Sequence, residues 1–120
     1  MHELSIAQGI VDIIRQYVPA EQTADVRLVK IRVGPLAGVV PDSLDFCFGA
    51  IVNDTPLSTA RLDIEEVLLQ SQCGGCGEVF TVEGAFFLCP RCGSSEVKVI
   101  SGTELQVVEI ELSDRQAGTA

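Results

Sequence analysis

Cys73-Gly74-Gly75-Cys76-Gly77 and Cys89-Pro90-Arg91-Cys92-Gly93, with twelve residues between Cys76 and Cys89, form the stretch from which the organisation of this chain is read. Each Cys-x-x-Cys turn lets two thiolates converge on one ion, and the glycine after each pair permits the turn that aims backbone amides at sulfur. Four thiolates around a d10 cation at about 2.3 Å form a closed tetrahedral shell, the mark of a structural zinc site. A reduced dithiol pair or a rubredoxin-like iron centre uses the same ligands, so both remain open on spacing alone. Between the pairs, Val79-Phe80-Thr81-Val82 and Phe86-Phe87-Leu88 suit a short hairpin. A cysteine module of about 30 residues is too small to build a sufficient core alone, so it is expected to ride on something larger.

The flanks supply that larger part. Residues 5–18 read as an amphipathic helix, with Ile6, Ala7, Ile10, Ile13, Ile14 and Tyr17 on one stripe. Ser5 and Gln8 make a capping box, and Pro19 supplies the stop. Residues 25–33 alternate as a strand, with Val29, Ile31 and Val33 on one face and Lys30 and Arg32 on the other. Gly34 to Gly38 breaks the pattern, and a second helix starts near Pro41 with a stripe of Leu44, Cys47, Phe48 and Ile51. Residues 60–69 and 103–112 are two further strands. The expected fold is therefore α+β: a small mixed three-stranded sheet with two helices, plus an inserted zinc-ribbon-like β module. Residues 1–69 with 101–120 form the larger, discontinuous unit, and 70–100 form the module. The strands that deliver and recover the module are expected to pair side by side.

Composition bounds the rest. The chain has 120 residues, 47% of them apolar and 21% charged, which suits a globular protein. Its net charge of −9 and isoelectric point near 4.4 disfavour nucleic acid as a partner. The module has no basic stripe, and four thiolates around a divalent cation add about two negative charges. No apolar run is long enough to cross a bilayer, and Met1-His2-Glu3 lacks the basic start of a signal peptide. A cytoplasmic protein with no membrane partner is expected. Five cysteines are an odd number for a disulfide framework, and Cys47, alone on an apolar stripe, reads as core. Asp63-Ile64-Glu65-Glu66 reads as solvated surface. The chain has no phosphate-cradling loop, no Ser/His/Asp set and no spare histidine for general-base work, so it is expected not to be an enzyme.

His2 is the one histidine in the sequence. Met1-His2-Glu3-Leu4-Ser5 opening a helix, Gly34-Pro35-Leu36-Ala37-Gly38-Val39, Pro41-Asp42-Ser43-Leu44, the paired cysteine motifs and Ser101-Gly102-Thr103-Glu104-Leu105 follow one another along essentially the whole chain. In that order they resemble the HypA/HybF family of hydrogenase nickel-insertion proteins. The resemblance implies a nickel metallochaperone with Ni(II) as cargo at its N-terminus and a structural zinc ion. It implies a HypB-type GTPase and the [NiFe]-hydrogenase large subunit as partners, with urease and its accessory proteins served by some members. Carried over by position, His2 and Glu3 belong to the nickel site and Cys73, Cys76, Cys89 and Cys92 to zinc. Some members use a further histidine near the zinc module; none exists here, and Asp42 is the candidate for an extra ligand. Local chemistry adds Met1, whose free amine with the His2 amide and imidazole can close fused chelate rings around a square-planar ion. Monomer and homodimer both remain open. A zinc-ribbon interaction or regulatory adaptor without nickel cargo is the other class, and metal content after equilibration with both ions separates the two.

Overall fold

A computed structural model describes residues 3–84 and 86–113. The first helix, α1 (Glu3–Tyr17), begins two residues ahead of the predicted capping box. Ser5 therefore lies inside the helix, and the Gln8 side chain reaches forward to Asp12 Oδ1 at 3.0 Å instead of back to a cap. Glu3 in the first turn and Arg15 in the last complement the helix dipole. The buried stripe is Ala7, Ile10, Val11 and Ile14, continued by Val18 beyond the helix. Tyr17, expected on that stripe, is exposed, because the chain turns at Pro19 and presents Val18 to the core in its place.

Strand β1 (Val26–Val33) alternates as expected over Val29, Ile31 and Val33, all buried, and a register shift between Val26 and Leu28 buries Val26 as well. A single 3-10 turn (Pro35–Ala37) then leads into α2 (Pro41–Val52), with Pro41 in its first turn and Asp42 beside it. Leu44, Phe48 and Val52 are buried, while Cys47 and Ile51 are half-buried against the same core, as a structural cysteine should be. Strand β2 (Arg61–Glu66) returns parallel to β1, and β6 (Leu105–Leu112) runs antiparallel along the opposite edge of β1.

The sheet order is β2-β1-β6, so the strands on either side of the cysteine segment do not pair with each other as predicted. β1, which carries the buried valines and isoleucine, takes the centre, and the two acidic strands take the edges. β2 carries Asp63, Glu65 and Glu66, and β6 carries Glu109 and Glu111; side by side, these carboxylates would repel. β1 between them offers Arg32, 3.0 Å from Glu65, and Lys30, 3.9 Å from Glu109. Both ion pairs are exposed, and each contributes on the order of 0.2–1 kcal/mol.

The remaining strands form a second, antiparallel sheet in the order β4-β3-β5: β3 (Gln70–Cys73), β4 (Val79–Thr81) and β5 (Val97–Ser101). The predicted hairpin is absent. Residues 79–81 pair with β3, and Phe86 to Leu88 form no strand. A small core of Leu69, Cys73, Phe80, Val82 and Cys89 sits under this sheet.

The two sheets meet where two glycines cross. The Gly34 amide donates to the Glu104 carbonyl and the Leu36 amide to the Gly102 carbonyl, both at 2.8 Å. A Cβ at Gly34 would fall 2.1 Å from the Gly102 oxygen, and one at Gly102 would meet Leu69 at 2.7 Å. Gly102 also takes a φ of +117°, open only to glycine. Nearby, the Val67 amide donates to the Val33 carbonyl, and the Ser101 hydroxyl donates to the Leu68 carbonyl, each at 2.9 Å.

Candidate metal centre

Strand β3 ends on Cys73, so the first cysteine is delivered by a ladder whose other two strands hold it in place. From there the chain folds back tightly. The Cys73 amide donates to the Glu78 carbonyl at 2.9 Å, and the Gly77 amide to the Cys73 carbonyl at 3.0 Å. The second pair repeats the device, with the Cys89 amide on the Ser94 carbonyl at 2.9 Å and the Gly93 amide on the Cys89 carbonyl at 2.8 Å. Gly77 and Gly93 take φ of +80° and +76°, the left-handed conformation each turn requires. Arg91 reaches Glu78 at 3.8 Å, linking the two turns at the surface.

The four sulfurs converge. All lie within 4.8 Å of one another, with Cys73 Sγ 3.5 Å from Cys92 Sγ and Cys76 Sγ 3.6 Å from Cys89 Sγ. Tetrahedral ligands at about 2.3 Å from a centre stand roughly 3.8 Å apart, so these spacings fit one ion. Cys73 and Cys89 are buried, and Cys76 and Cys92 face solvent, leaving one side of the cluster open for metal to enter. The donor set fits zinc; among the described residues no fifth side chain joins the four thiols, so the centre is suited to holding a fold and not to chemistry on a substrate.

Backbone dipoles prepare the site for a cation. The Cys76 amide, at 3.4 Å, and the Gly75 amide, at 3.3 Å, point at Cys73 Sγ and hold its thiol down to about 6 against the opposing effect of burial. The Ser94 amide acts in the same direction on Cys92, but the neighbouring Cys73 and Cys89 sulfurs and burial outweigh it and push that thiol up to about 12. At pH 7 the metal-free cluster thus keeps protons on Cys92 and on Cys76, which is also raised. Metal must displace them. Zinc binding at pH 7 should release at least two protons, and affinity should fall about 100-fold or more per unit drop in pH. Calorimetry in two buffers of different ionisation enthalpy measures the number; release of one proton or none would contradict the four-thiolate assignment.

The residues assigned to nickel are placed less completely. Met1 and His2 lie outside the described residues. Glu3 opens α1, and its Oε2 accepts a hydrogen bond from the Val40 amide at 3.2 Å. Val40 is the N-cap of α2, two residues ahead of Asp42. The fold therefore fastens the start of α1 to the start of α2 and brings Glu3 to the turn that carries Asp42. Sequence reasoning missed Val40, because an amide donor at an apolar residue leaves no compositional signal.

Comparison with known proteins gives a consistent result. The family profile described as hydrogenase/urease nickel incorporation, metallochaperone, HypA, matches residues 1–112. The hydrogenase maturation factor HypA of Geobacter metallireducens is 44% identical over 112 residues, covering 93% of this chain and 99% of that protein. That of Azotobacter vinelandii is 38% identical with the same coverage. Among solved structures, the solution structure of the Ni metallochaperone HypA from Helicobacter pylori has a TM-score of 0.63 at 20% identity, covering 93% of this chain and 97% of that one. A second HypA solution structure has a TM-score of 0.68, also at 20% identity, covering 94% and 97%. At that identity the structural likeness establishes the α+β fold with its two three-stranded sheets.

Proposed function

The chain belongs to the HypA family of hydrogenase/urease nickel-incorporation metallochaperones and is not an enzyme, and from that premise we propose that it binds Ni(II) at its N-terminus and hands it to the [NiFe]-hydrogenase large subunit. In this reading the Met1 amine, the His2 amide nitrogen and the His2 imidazole close fused chelate rings on the ion. The fourth position comes from the Glu3 backbone, from Asp42 or from a partner. Nitrogen and oxygen donors in a square-planar set suit Ni(II), and a terminus with few ligands releases cargo more readily than a closed cage. The observation that carries the proposal is the Glu3–Val40 hydrogen bond, which holds the first helical turn beside Asp42. Cys73, Cys76, Cys89 and Cys92 hold a structural zinc ion, which supplies folding energy to residues 70–100. Residues 1–69 with 101–120 act as the nickel-carrying unit. A HypB-type GTPase supplies the energy-using step, since the chain has no nucleotide-binding loop of its own. Transfer takes place in the cytoplasm; no helix among the described residues is long and apolar enough to cross a membrane.

Nickel titration by calorimetry tests the site. His2→Ala should abolish nickel binding and leave zinc content unchanged. An extension ahead of Met1, which converts the amine to an amide, should do the same. Binding in the parent chain should weaken as pH falls, because protons must leave the amine and amide. Unchanged nickel affinity in His2→Ala overturns the site. Unchanged affinity in the extended chain alone removes the amine and spares His2.

A further inference from the structure

Strand β6 is the long, open edge of the first sheet. It spans eight residues, and among the described residues nothing pairs with the edge that faces away from β1. Natural edges are blunted by lysine, proline or brevity. This one has no lysine and no proline, and its register with β1 shifts twice, between Val26 and Leu28 and between Lys30 and Ile31, the second leaving Val108 unpaired.

The two faces of β6 differ sharply. Leu105, Val107 and Ile110 stand opposite Val33, Ile31 and Val29 and share the helix-covered face. There, α1 does not close over the edge. Ile6, Gly9, Ile10 and Ile13 of the helix and Ile31, Leu105 and Val107 of the sheet line an apolar groove of about 230 Å3. Gly9 makes the opening, since a Cβ placed on it would meet nothing within 4 Å. The opposite face of β6 presents Glu109 and Glu111. Glu109 touches Lys30 one strand inward, and Glu111 has no ion-pair partner among the described residues.

We propose that the β6 edge receives an extended segment of a partner protein that alternates apolar and basic residues, its apolar side chains entering the groove beside Gly9 and its lysines or arginines facing Glu109 and Glu111. Backbone pairing along the edge supplies affinity, and the two faces supply selection. Charge decides between occupants. A second copy of this chain would bring its own Glu109 and Glu111, and a net charge of −9, against the same edge. The chain's own residues 114–120 (Asp-Arg-Gln-Ala-Gly-Thr-Ala) contain one basic residue and no alternation. The proposal does not depend on the metal sites.

Two end-blocked heptapeptides serve as probes on the full chain, one alternating lysine with valine and the other glutamate with valine. The lysine peptide should bind and slow amide exchange along 105–112, while the glutamate peptide should not bind. Gly9→Leu fills the groove from a helix position with free space around it and should weaken the lysine peptide about tenfold or more. Glu109→Gln with Glu111→Gln should weaken it and flatten its salt dependence. Binding of both peptides alike, protection confined to other segments, or full affinity in Gly9→Leu overturns the proposal. So does concentration-dependent self-association that protects 105–112 without any peptide, which would make a second copy the occupant.

Discussion

Replacing Cys73 by alanine is expected to unfold the second sheet while leaving α1 and α2 intact. Cys73 closes β3, sits in the small core with Leu69, Phe80, Val82 and Cys89, and accepts two amides at its sulfur. Those few apolar side chains supply little stability alone. Apparent binding energies of structural zinc run to about 10–16 kcal/mol at neutral pH, which dwarfs what so small a core contributes. Losing one of four ligands should therefore remove zinc and the dispersed NMR signals of residues 70–100. Helical ellipticity should change little, because both helices belong to the other core. Elemental analysis and a two-dimensional amide spectrum check this. Stoichiometric zinc with native dispersion in Cys73→Ala would show the ligand set to be wrong.

Gly34→Ala is expected to cost about 3–4 kcal/mol, a large value for one methyl group, because a backbone clash gives it a defined cause. The added carbon would fall 2.1 Å from the Gly102 carbonyl oxygen, well inside contact distance, and neither partner is a movable side chain. Relief requires 102–104 to swing away, breaking the Gly34–Glu104 and Leu36–Gly102 hydrogen bonds. Gly9→Ala is the control. It sits in a helix with open space around it and should stabilise the chain by roughly 0.5–1 kcal/mol. Urea denaturation of both variants should show opposite signs; equal midpoints would mean that the glycine crossing is not a tight contact.

Much of this architecture was readable because strong local signals agreed with the fold. Pro41 and Asp42 mark the start of α2, the alternation of Val29, Ile31 and Val33 in β1 holds, and the cysteine spacing announces the cluster. The second sheet was harder to see. β3 reads Gln70-Ser71-Gln72-Cys73, with no apolar alternation, yet Ser71 is fully buried and its hydroxyl finds no partner among the described residues. Hydrophobic periodicity cannot find a strand whose buried residue is polar. β5 was missed although Val97 and Val99 alternate with exposed Lys98, because the run is only five residues long. Pairing partners were also hidden, since the order β2-β1-β6 joins segments far apart in sequence. At the N-terminus, His2 and Glu3 could be singled out as chemistry, but the Val40 amide that positions Glu3 lies 37 residues away in sequence.

The pairing of Gln70 with Ser101 has a consequence for how fast the chain assembles. With β2 already paired to β1, β6 must close a loop that runs from residue 67 to residue 104. Once β3 and β5 are zipped together, that excursion shrinks to residues 67–69 and 102–104. Loop-closure entropy values such a shortening at on the order of 1–2 kcal/mol in the search for contact. Metal capture by the cysteine cluster is therefore expected to act as an intramolecular splint, and refolding in the presence of zinc should seat the last strand several-fold faster than in its absence.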